Sequence, residues 1–311
     1  MTRRELLAAT LSAPALFAPS LFGKTRIDKT RISAITDEIG LTPQDSLDFA
    51  KQYGLRWIEL RNVPGSKPGK EYAYLPEAEI KEAAASFAAN GLKVSFVNTG
   101  LLKFGWPGTE PARRRPEADA ARAKRLADEQ KRWEARKDDV HKACVAANIL
   151  GCDKTRVFAG TRVADPKTVY QRIADEIGPL AEIAGTYKVH LLIENEASQN
   201  IGTSQELADI MPMLPSKWVG YNWDPQNALP LKEVPWPDGY AVLPKKRMLN
   251  LQFKGKGIME KSPEKLDWAA IVKALDKDGY QGELGLETHL FDGTLIAAAN
   301  ESMATMLRIV G

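Results

Sequence analysis

The chain has 311 residues, which is enough for two average domains or for one α/β barrel of about 250 residues. Apolar residues make up 44% of it, so it can bury a sizeable core, and no segment has the composition of a disordered tail. Its 43 basic and 40 acidic residues leave a formal net charge of +3. A nucleic-acid-binding protein would need a concentrated basic face, so this balance argues against nucleic acid as the main partner.

The first residues have the pattern of an export signal. Arg3 and Arg4 precede an apolar, proline-interrupted run that reaches Phe22. The pattern is similar to a twin-arginine signal, and it predicts a signal peptide over residues 1–23, a mature domain over 24–311 and a periplasmic location. The run is too short to span a membrane comfortably, so we expect no membrane contact in the mature form. An amphipathic N-terminal helix is the alternative interpretation.

From residue 31 onward, short β-branched or apolar runs alternate with helical patterns. Eight runs predict strands: Ile32–Thr36, Trp57–Leu60, Lys93–Asn98, Thr155–Phe158, Val189–Glu194, Val219–Trp223, Leu249–Phe253 and Glu283–Glu287. The intervening segments predict helices: Pro43–Tyr53, Glu77–Asn90, a long stretch ending at Asn148, Pro166–Tyr187, Ser204–Met213, Pro263–Asp276 and Thr294–Ile309. Strands that alternate with helices form parallel sheets, because each parallel crossover needs a connection across one face. Eight such units close into a single (β/α)8 TIM barrel, which is the predicted fold.

Glycine marks the ends of several predicted helices. Gly54, Gly91 and Gly279 each stand between a helical pattern and a strand. Glycine ends a helix readily because it adopts the left-handed backbone conformation without a Cβ clash. This repeated order supports the barrel prediction.

Two segments depart from the regular repeat. Residues 105–139 contain the arginine run 113–115 and mix both charge signs densely. This pattern predicts a loop followed by an exposed helix with intrahelical ion pairs, and nucleic-acid contact is the weaker alternative. Residues 225–244 are rich in proline and predict an irregular loop with at most a short helix.

The chain has two cysteines, Cys144 and Cys152. A metal–thiolate site would need more soft ligands nearby, so both are predicted to be small core residues. A disulfide between them after export is the alternative.

Polar residues lie at or directly after the ends of the last four predicted strands. They are Glu194 on the fifth strand, Asp224 after the sixth, Gln252 and Lys254 on the seventh, and Glu287 on the eighth. In barrels of this kind the active site lies at the C-terminal ends of the strands. A carboxylate buried there needs a partner, and a hard divalent cation is the natural one. The sequence therefore predicts one divalent-metal site at the barrel mouth.

These strand ends resemble those of the sugar phosphate isomerase/epimerase (xylose isomerase-like) family, and the resemblance covers roughly residues 31–310. The family places Glu, Asp, His and Glu at the ends of the fifth to eighth strands, where they bind Mn²⁺, Mg²⁺, Co²⁺ or Zn²⁺. Glu194, Asp224 and Glu287 match three of these positions. Gln252 stands where the family commonly has the His of a His-x-Lys pattern. An all-oxygen ligand set would favour Mn²⁺ or Mg²⁺ over Zn²⁺.

Other segments that look like members of this family are Ile32–Ile39, Ile58–Arg61, Gly100–Lys103 and Arg156–Phe158. From these segments and the strand ends, we expect six residues to contact the substrate: Glu38, Lys103, Arg156, Asn227, Lys254 and His289. Glu38 is equally consistent with an acidic residue in a first helical turn. Lys103 and Lys254 are equally consistent with solvated loop lysines.

The resemblance also implies a reaction. In related epimerases the two metal-binding glutamates transfer a proton, a role that maps onto Glu194 and Glu287. A metal that chelates a carbonyl and its neighbouring hydroxyl acidifies the C–H bond between them by stabilising an enediolate. We therefore expect a metal-dependent isomerase or epimerase whose partner is a small sugar or keto-sugar. Export favours an unphosphorylated substrate, because phosphosugars are mainly cytoplasmic. A homo-oligomer is compatible with the sequence.

Other functions use the same barrel. Proton removal next to the carbonyl of a 3-keto-glycoside would expel the aglycone, which describes a metal-dependent lyase or deglycosidase. A catalytically inactive sugar-binding barrel would account for Gln252 in place of His. Apurinic endonucleases share the fold, but their trinuclear zinc site needs many histidines and this chain has three.

Overall fold

A computed structural model describes residues 27–112, 116–258, 265–290 and 293–311. The predicted signal peptide over 1–23 and the arginine run 113–115 lie outside the described residues, so both interpretations stay predictions. Within those ranges, no helix combines the length and the apolar character needed to cross a membrane.

The eight predicted strands form one parallel sheet that curves into a barrel. The strand order around the sheet is β1-β8-β7-β6-β5-β4-β3-β2. A parallel bridge between Ile35 and Glu59 joins the two ends of this sheet, next to β1 and in β2. The strands are β1 (Ile32–Ala34), β2 (Trp57–Leu60), β3 (Lys93–Val97), β4 (Lys154–Val157), β5 (His190–Glu194), β6 (Val219–Trp223), β7 (Met248–Lys254) and β8 (Glu283–Glu287). The predicted single (β/α)8 barrel is confirmed.

Helices connect the strands around the barrel. They are α1 (Pro43–Tyr53), α2 (Glu77–Ala89), α3 (Asp119–Ile149), α4 (Tyr170–Thr186), α5 (Ser204–Ile210), α6 (Tyr240–Val242), α7 (Gly255–Ile258), α8 (Trp268–Asp278) and α9 (Leu295–Val310). Helix α1 begins at a capping box, in which the side chains of Thr42 and Asp45 each accept the other's backbone N–H. Gly54, Gly91 and Gly279 all have positive φ, which confirms the predicted glycine-marked helix ends.

Several element bounds differ from the prediction, and two of these differences have clear local reasons. Strand β1 ends at Ala34 because Thr36–Glu38 forms a 3-10 helix, and this turn buries Glu38 at the barrel mouth. The helix predicted from Pro263 begins at Trp268, where the side chain of Asp267 caps it by accepting the Ala270 N–H at 3.0 Å.

The first irregular segment follows its prediction where it is described, and the second contains more short helical turns than predicted. Helix α3 is long and charged, and the ion pair between Arg125 and Glu129, at 2.9 Å, is of the expected intrahelical kind. The proline-rich segment 225–244 forms the short 3-10 helix Gln226–Leu231, a kinked turn and the single turn of α6.

The apolar core lies between the barrel and the helices. Phe253 of β7 stacks on Trp268 of α8 with ring centroids 3.9 Å apart, and both side chains are fully buried. Burial of one such side chain stabilises the fold by about 1.5–3 kcal/mol. Cys144 and Cys152 are buried and are not joined by a disulfide, which confirms that both are core residues.

Candidate active site

Three carboxylates from three strands meet inside the mouth of the barrel. Glu194 ends β5, Asp224 follows β6 and Glu287 ends β8. All three residues are buried, and one oxygen atom of each lies within 4.8 Å of the other two. We call these three residues the carboxylate cluster. The sequence predicted all three as metal ligands, and the structure brings them together.

Glu194 is held by donors from the two neighbouring strands. The Arg156 Nη1 lies 3.1 Å from Glu194 Oε2, and the same oxygen accepts from Asn222 Nδ2 at 2.6 Å. Arg156 is itself buried and donates from Nε to the Thr99 carbonyl oxygen at 3.0 Å. Its guanidinium supports the Glu194 carboxylate, and its predicted contact with substrate stays a prediction.

Asp224 is oriented by backbone groups. Its Oδ1 accepts the N–H groups of Gln226 at 2.9 Å and Asn227 at 3.1 Å, which leaves Oδ2 facing the cluster. That oxygen lies 2.8 Å from Lys254 Nζ. Burial raises the pKa of Asp224 to about 6, although the attraction of Lys254 opposes this rise. The Asn195 side chain binds the Asp224 backbone through both its amide nitrogen and its amide oxygen.

Glu287 is surrounded by cations. Its Oε1 lies 3.2 Å from His289 Nδ1 and 3.6 Å from Arg61 Nη1, whereas its Oε2 lies 3.4 Å from Lys254 Nζ. Burial works against ionisation, but the attraction of Lys254, the hydrogen bond from His289 and the charge of Arg61 outweigh it. The pKa of Glu287 is therefore well below its ordinary value.

A second group of ionisable side chains lies beside the cluster. Glu38, Glu287 and His289 each offer an atom within 4.8 Å of the others. Glu38 is fully buried, 2.7 Å from Arg61 Nη2, and its Oε2 accepts the backbone N–H of His289 at 2.6 Å. Glu38 thus lies in the single turn of the 3-10 helix Thr36–Glu38, as the alternative interpretation expected, and is buried beside the carboxylate cluster; its substrate role stays a prediction. Hydrogen bonds to Glu287 and Glu38 raise the pKa of His289 to about 9.

Gln252 lies on β7, one inward-facing position before Lys254. Its Nε2 donates to Glu59 Oε2 at 2.7 Å, and Glu59 also accepts from Asn98 at 2.9 Å and Asn250 at 3.2 Å. Burial raises the pKa of Glu59 to about 7, and these three amide donors only partly offset that effect. The predicted ligand Gln252 is thus tied to a buried acid of β2.

A chain of amides connects this acid to the cluster. Asn250 Nδ2 donates to Glu59 Oε1 and to Asn222 Oδ1 at 3.1 Å, and Asn222 donates onward to Glu194. The barrel interior is therefore polar below the cluster, where aliphatic side chains are the usual filling. The hydrogen bonds of this network hold its members in one arrangement.

The donor set suits one hard divalent ion. Glu287 Oε2 and Gln252 Oε1 are buried, and among the described residues neither accepts a hydrogen bond. The Lys254 ammonium lies 3.4 Å from Glu287 Oε2 without a hydrogen bond to it. A buried carboxylate oxygen that accepts no hydrogen bond, next to Glu194 and Asp224, indicates a place for a cation. The residues Glu194, Asp224, Gln252 and Glu287 can supply only oxygen ligands, as Mg²⁺ and Mn²⁺ prefer.

Two further predicted substrate residues are already engaged. Lys103 lies 2.5 Å from Glu196 and 4.5 Å above the Phe158 ring, and its side chain is 40% exposed at the mouth. The Asn227 amide accepts from Lys254 at 2.7 Å and donates to the Asn195 carbonyl oxygen at 3.0 Å. The substrate role of both residues stays a prediction.

Sequence reasoning assigned no role to several residues that build the site: Glu59, Arg61, Asn222, Asn250 and Glu196. Arg61 directly follows β2, so the strand-end argument that identified the cluster, extended to the first half of the barrel, would have found it. Glu59, Asn222 and Asn250 are polar residues at inward-facing positions of otherwise apolar strands. A polar residue at such a position is the sequence feature that could have identified these three residues.

Residues 47–309 match the family described as xylose isomerase-like TIM barrel. The chain belongs to this family. No curated protein matches the sequence at a significant level.

Solved structures share the fold at low sequence identity. The 3-keto-D-glucoside 4-epimerase of E. coli has a TM-score of 0.65 and 15% identity, over 90% of this chain and 99% of that one. The D-psicose 3-epimerase of Clostridium cellulolyticum H10, solved with D-tagatose, has a TM-score of 0.64 and 14% identity, over 90% and 99%. A xylose isomerase-like TIM barrel protein of Mycobacterium smegmatis, in complex with magnesium, has a TM-score of 0.61 and 15% identity, over 90% and 98%.

Proposed function

We propose that the protein is a divalent-metal-dependent isomerase or epimerase of an unphosphorylated sugar or keto-sugar. One observation carries the proposal: Glu194, Asp224 and Glu287 come from three strands and converge within 4.8 Å at the end of the barrel where such enzymes bind substrate. Family membership and the sugar epimerases among the solved structures of the same fold support it.

The ion would be held by Glu194, Asp224, Gln252 and Glu287. When bound, it polarises a carbonyl oxygen and a neighbouring hydroxyl of the sugar, which acidifies the C–H bond between them. The oxygen-only donors favour Mn²⁺ or Mg²⁺, with Co²⁺ or Zn²⁺ as alternatives.

Glu194 and Glu287 then act as the proton-transferring pair. They project from β5 and β8, so they can approach a sugar carbon from different sides. One carboxylate removes the proton, and the other returns a proton to the opposite face or to the adjacent carbon. Arg156 and Asn222 fix Glu194, whereas His289 and Arg61 fix Glu287, so each carboxylate is held in position before the substrate arrives.

The absence of a phosphate on the substrate rests on the export prediction. Residues 1–23 lie outside the described residues, so periplasmic location remains part of the proposal. Lys103 and His289 are cations near the mouth whose side chains are substantially exposed, at 40% and 44%. We infer that they bind hydroxyl or carbonyl oxygens of a neutral sugar.

A second candidate is a lyase that removes the aglycone of a 3-keto-glycoside. His289 favours it, because this half-exposed ring contacts Glu287 and could protonate a leaving oxygen at the barrel mouth. Release of free aglycone from a 3-keto-glucoside would identify this reaction. Metal binding without any proton exchange would indicate a sugar-binding barrel that is not an enzyme.

The test is proton exchange with solvent. Keto-hexoses and 3-keto-glucosides are incubated with Mn²⁺-loaded protein in D₂O, and deuterium uptake next to the carbonyl is followed by NMR. We expect uptake that stops on chelation and falls by about 100-fold or more in Glu194→Gln and Glu287→Gln. Glu82→Gln, an exposed change on α2, is the matched control and should retain the activity. Equal uptake after chelation would contradict the metal-dependent mechanism.

A further inference from the structure

The ammonium group of Lys254 lies against two members of the carboxylate cluster. Its Nζ is 2.8 Å from Asp224 Oδ2 and 3.4 Å from Glu287 Oε2. Lys254 is only 6% exposed, so this charge is withdrawn from water and depends on its carboxylate partners.

The two oxygens that Lys254 contacts are also the ones best placed to bind an ion. Asp224 Oδ1 is occupied by two backbone N–H groups, so Oδ2 is the oxygen left for a metal. Glu287 Oε1 faces His289 and Arg61, whereas Oε2 accepts no hydrogen bond among the described residues. A metal ion and the ammonium group would therefore share the same two ligand atoms.

The charges favour one occupant at a time. Arg156 already neutralises Glu194, and Lys254 is shared by Asp224 and Glu287. A divalent ion bound to the same oxygens would lie within a few ångströms of the ammonium, and the repulsion between them is strong in a buried site. Lys254 must withdraw for the ion to bind well.

We propose that Lys254 is a displaceable counter-ion: its ammonium holds the carboxylate cluster together without metal and competes with the incoming ion for Asp224 and Glu287. This inference rests on the proposed metal site. Lys254 Nζ already donates to Asn227 Oδ1 at 2.7 Å, so the ammonium can keep this partner when it moves away from Asp224. Lys254 would then reach substrate oxygens only in the metal-bound protein.

Mn²⁺ binding, measured as the decrease in the EPR signal of free Mn²⁺, tests the inference without an activity assay. Lys254→Met should bind Mn²⁺ about tenfold or more tightly than the wild type, because the competing charge is gone. Lys254→Arg, which keeps the positive charge, should stay close to the wild type. Lys103→Met is the matched control, since it removes one positive charge at the mouth that contacts Glu196 and not the cluster.

The outcomes separate the two proposals. Tighter binding in Lys254→Met than in both the wild type and Lys103→Met supports the competition. Equal or weaker binding in Lys254→Met overturns it and leaves the metal site standing. Failure of every variant and of the wild type to bind Mn²⁺ overturns the metal site itself. If Lys254→Met does not fold, Lys254→Gln replaces it, because an amide can still donate to Asp224 without carrying charge.

Discussion

The side-chain nitrogen of Gln252 lies 2.7 Å from Glu59 Oε2, and this contact decides which end of the Gln252 amide remains available. Glu59 also accepts hydrogen bonds from the side-chain amides of Asn98 and Asn250. It therefore acts as an acceptor towards the Gln252 nitrogen as well, and the Gln252 oxygen points away from Glu59. That oxygen is buried and accepts no hydrogen bond from the described residues. Glu59 is therefore a positioning residue for the one proposed ligand that departs from the family pattern.

Stability should depend on the protonation of Glu59. Burial raises its pKa from 4.5 to about 7 in the folded protein. A group whose pKa is raised by folding stabilises the fold fully below its unfolded pKa, and this contribution is lost as the pH rises to the folded value. We expect metal-free wild type to lose on the order of 3 kcal/mol between pH 4.5 and 7 relative to Glu59→Gln. Urea unfolding of both proteins across this range measures the difference, and parallel pH curves would contradict the assignment.

Gly285 provides the space for Glu59. A Cβ atom at Gly285 would lie 2.0 Å from Glu59 Oε1 and 2.9 Å from Gln252 Oε1. Gly285→Ala should therefore lower the free energy of unfolding by about 1–3 kcal/mol. The same substitution should lower the free energy of unfolding by less in a Glu59→Ala background, because the main clash is absent there. Gly178→Ala is the control, because its Cβ would meet no atom within 4 Å, and it should change stability by less than about 1 kcal/mol. Equal effects at the two glycines would rule out this packing account.

The fold could be predicted from the sequence because its evidence is local and repeated. Alternating strand and helix patterns, with glycine at the helix ends, recur along the chain and fix the barrel. The carboxylate cluster could also be predicted, because the C-terminal ends of the strands of a parallel barrel lie at one mouth whatever the length and conformation of the loops. Glu194, Asp224 and Glu287 needed no knowledge of side-chain conformation to be placed together.

The contacts of the longer side chains could not be predicted in this way. Lys254 contacts Asp224 and Glu287, and Arg156 contacts Glu194, so both side chains pair with buried carboxylates that the strand pattern did not assign to them. Such contacts depend on side-chain rotamers and on which neighbouring charges are buried. The spacing of residues in the sequence indicates neither. The burial of Glu38 depends on a 3-10 turn that interrupted the predicted end of β1.

Arg156 should be required for the stability of the cluster. It is the buried cation next to Glu194, at 3.1 Å, so Arg156→Met leaves a buried carboxylate without its ion-pair partner. We expect the free energy of unfolding to fall by about 3–5 kcal/mol in metal-free buffer. The double variant Arg156→Met/Glu194→Gln should recover part of this loss, as chemical denaturation of all four combinations would reveal. If the double variant loses as much free energy of unfolding as the two single variants together, the proposed pairing is contradicted.

The two cysteines should be unreactive in the folded protein. Burial raises the pKa of Cys144 and of Cys152 to about 12, so neither thiol ionises at neutral pH. A chromogenic disulfide reagent at pH 8 should react slowly with native protein and with both thiols after unfolding in urea. Rapid reaction before unfolding would contradict their burial, and reaction only after reduction would reveal a disulfide.

Bound Mn²⁺ per chain, measured by elemental mass spectrometry after equilibrium dialysis, tests most directly whether the carboxylate cluster is a metal centre. The measurement compares the wild type with Glu287→Gln and with the surface control Glu82→Gln. The proposal predicts about one ion per chain in the wild type and the control, and its loss in Glu287→Gln. A wild type that binds no Mn²⁺, or a Glu287→Gln protein that binds it equally well, would contradict the proposed centre.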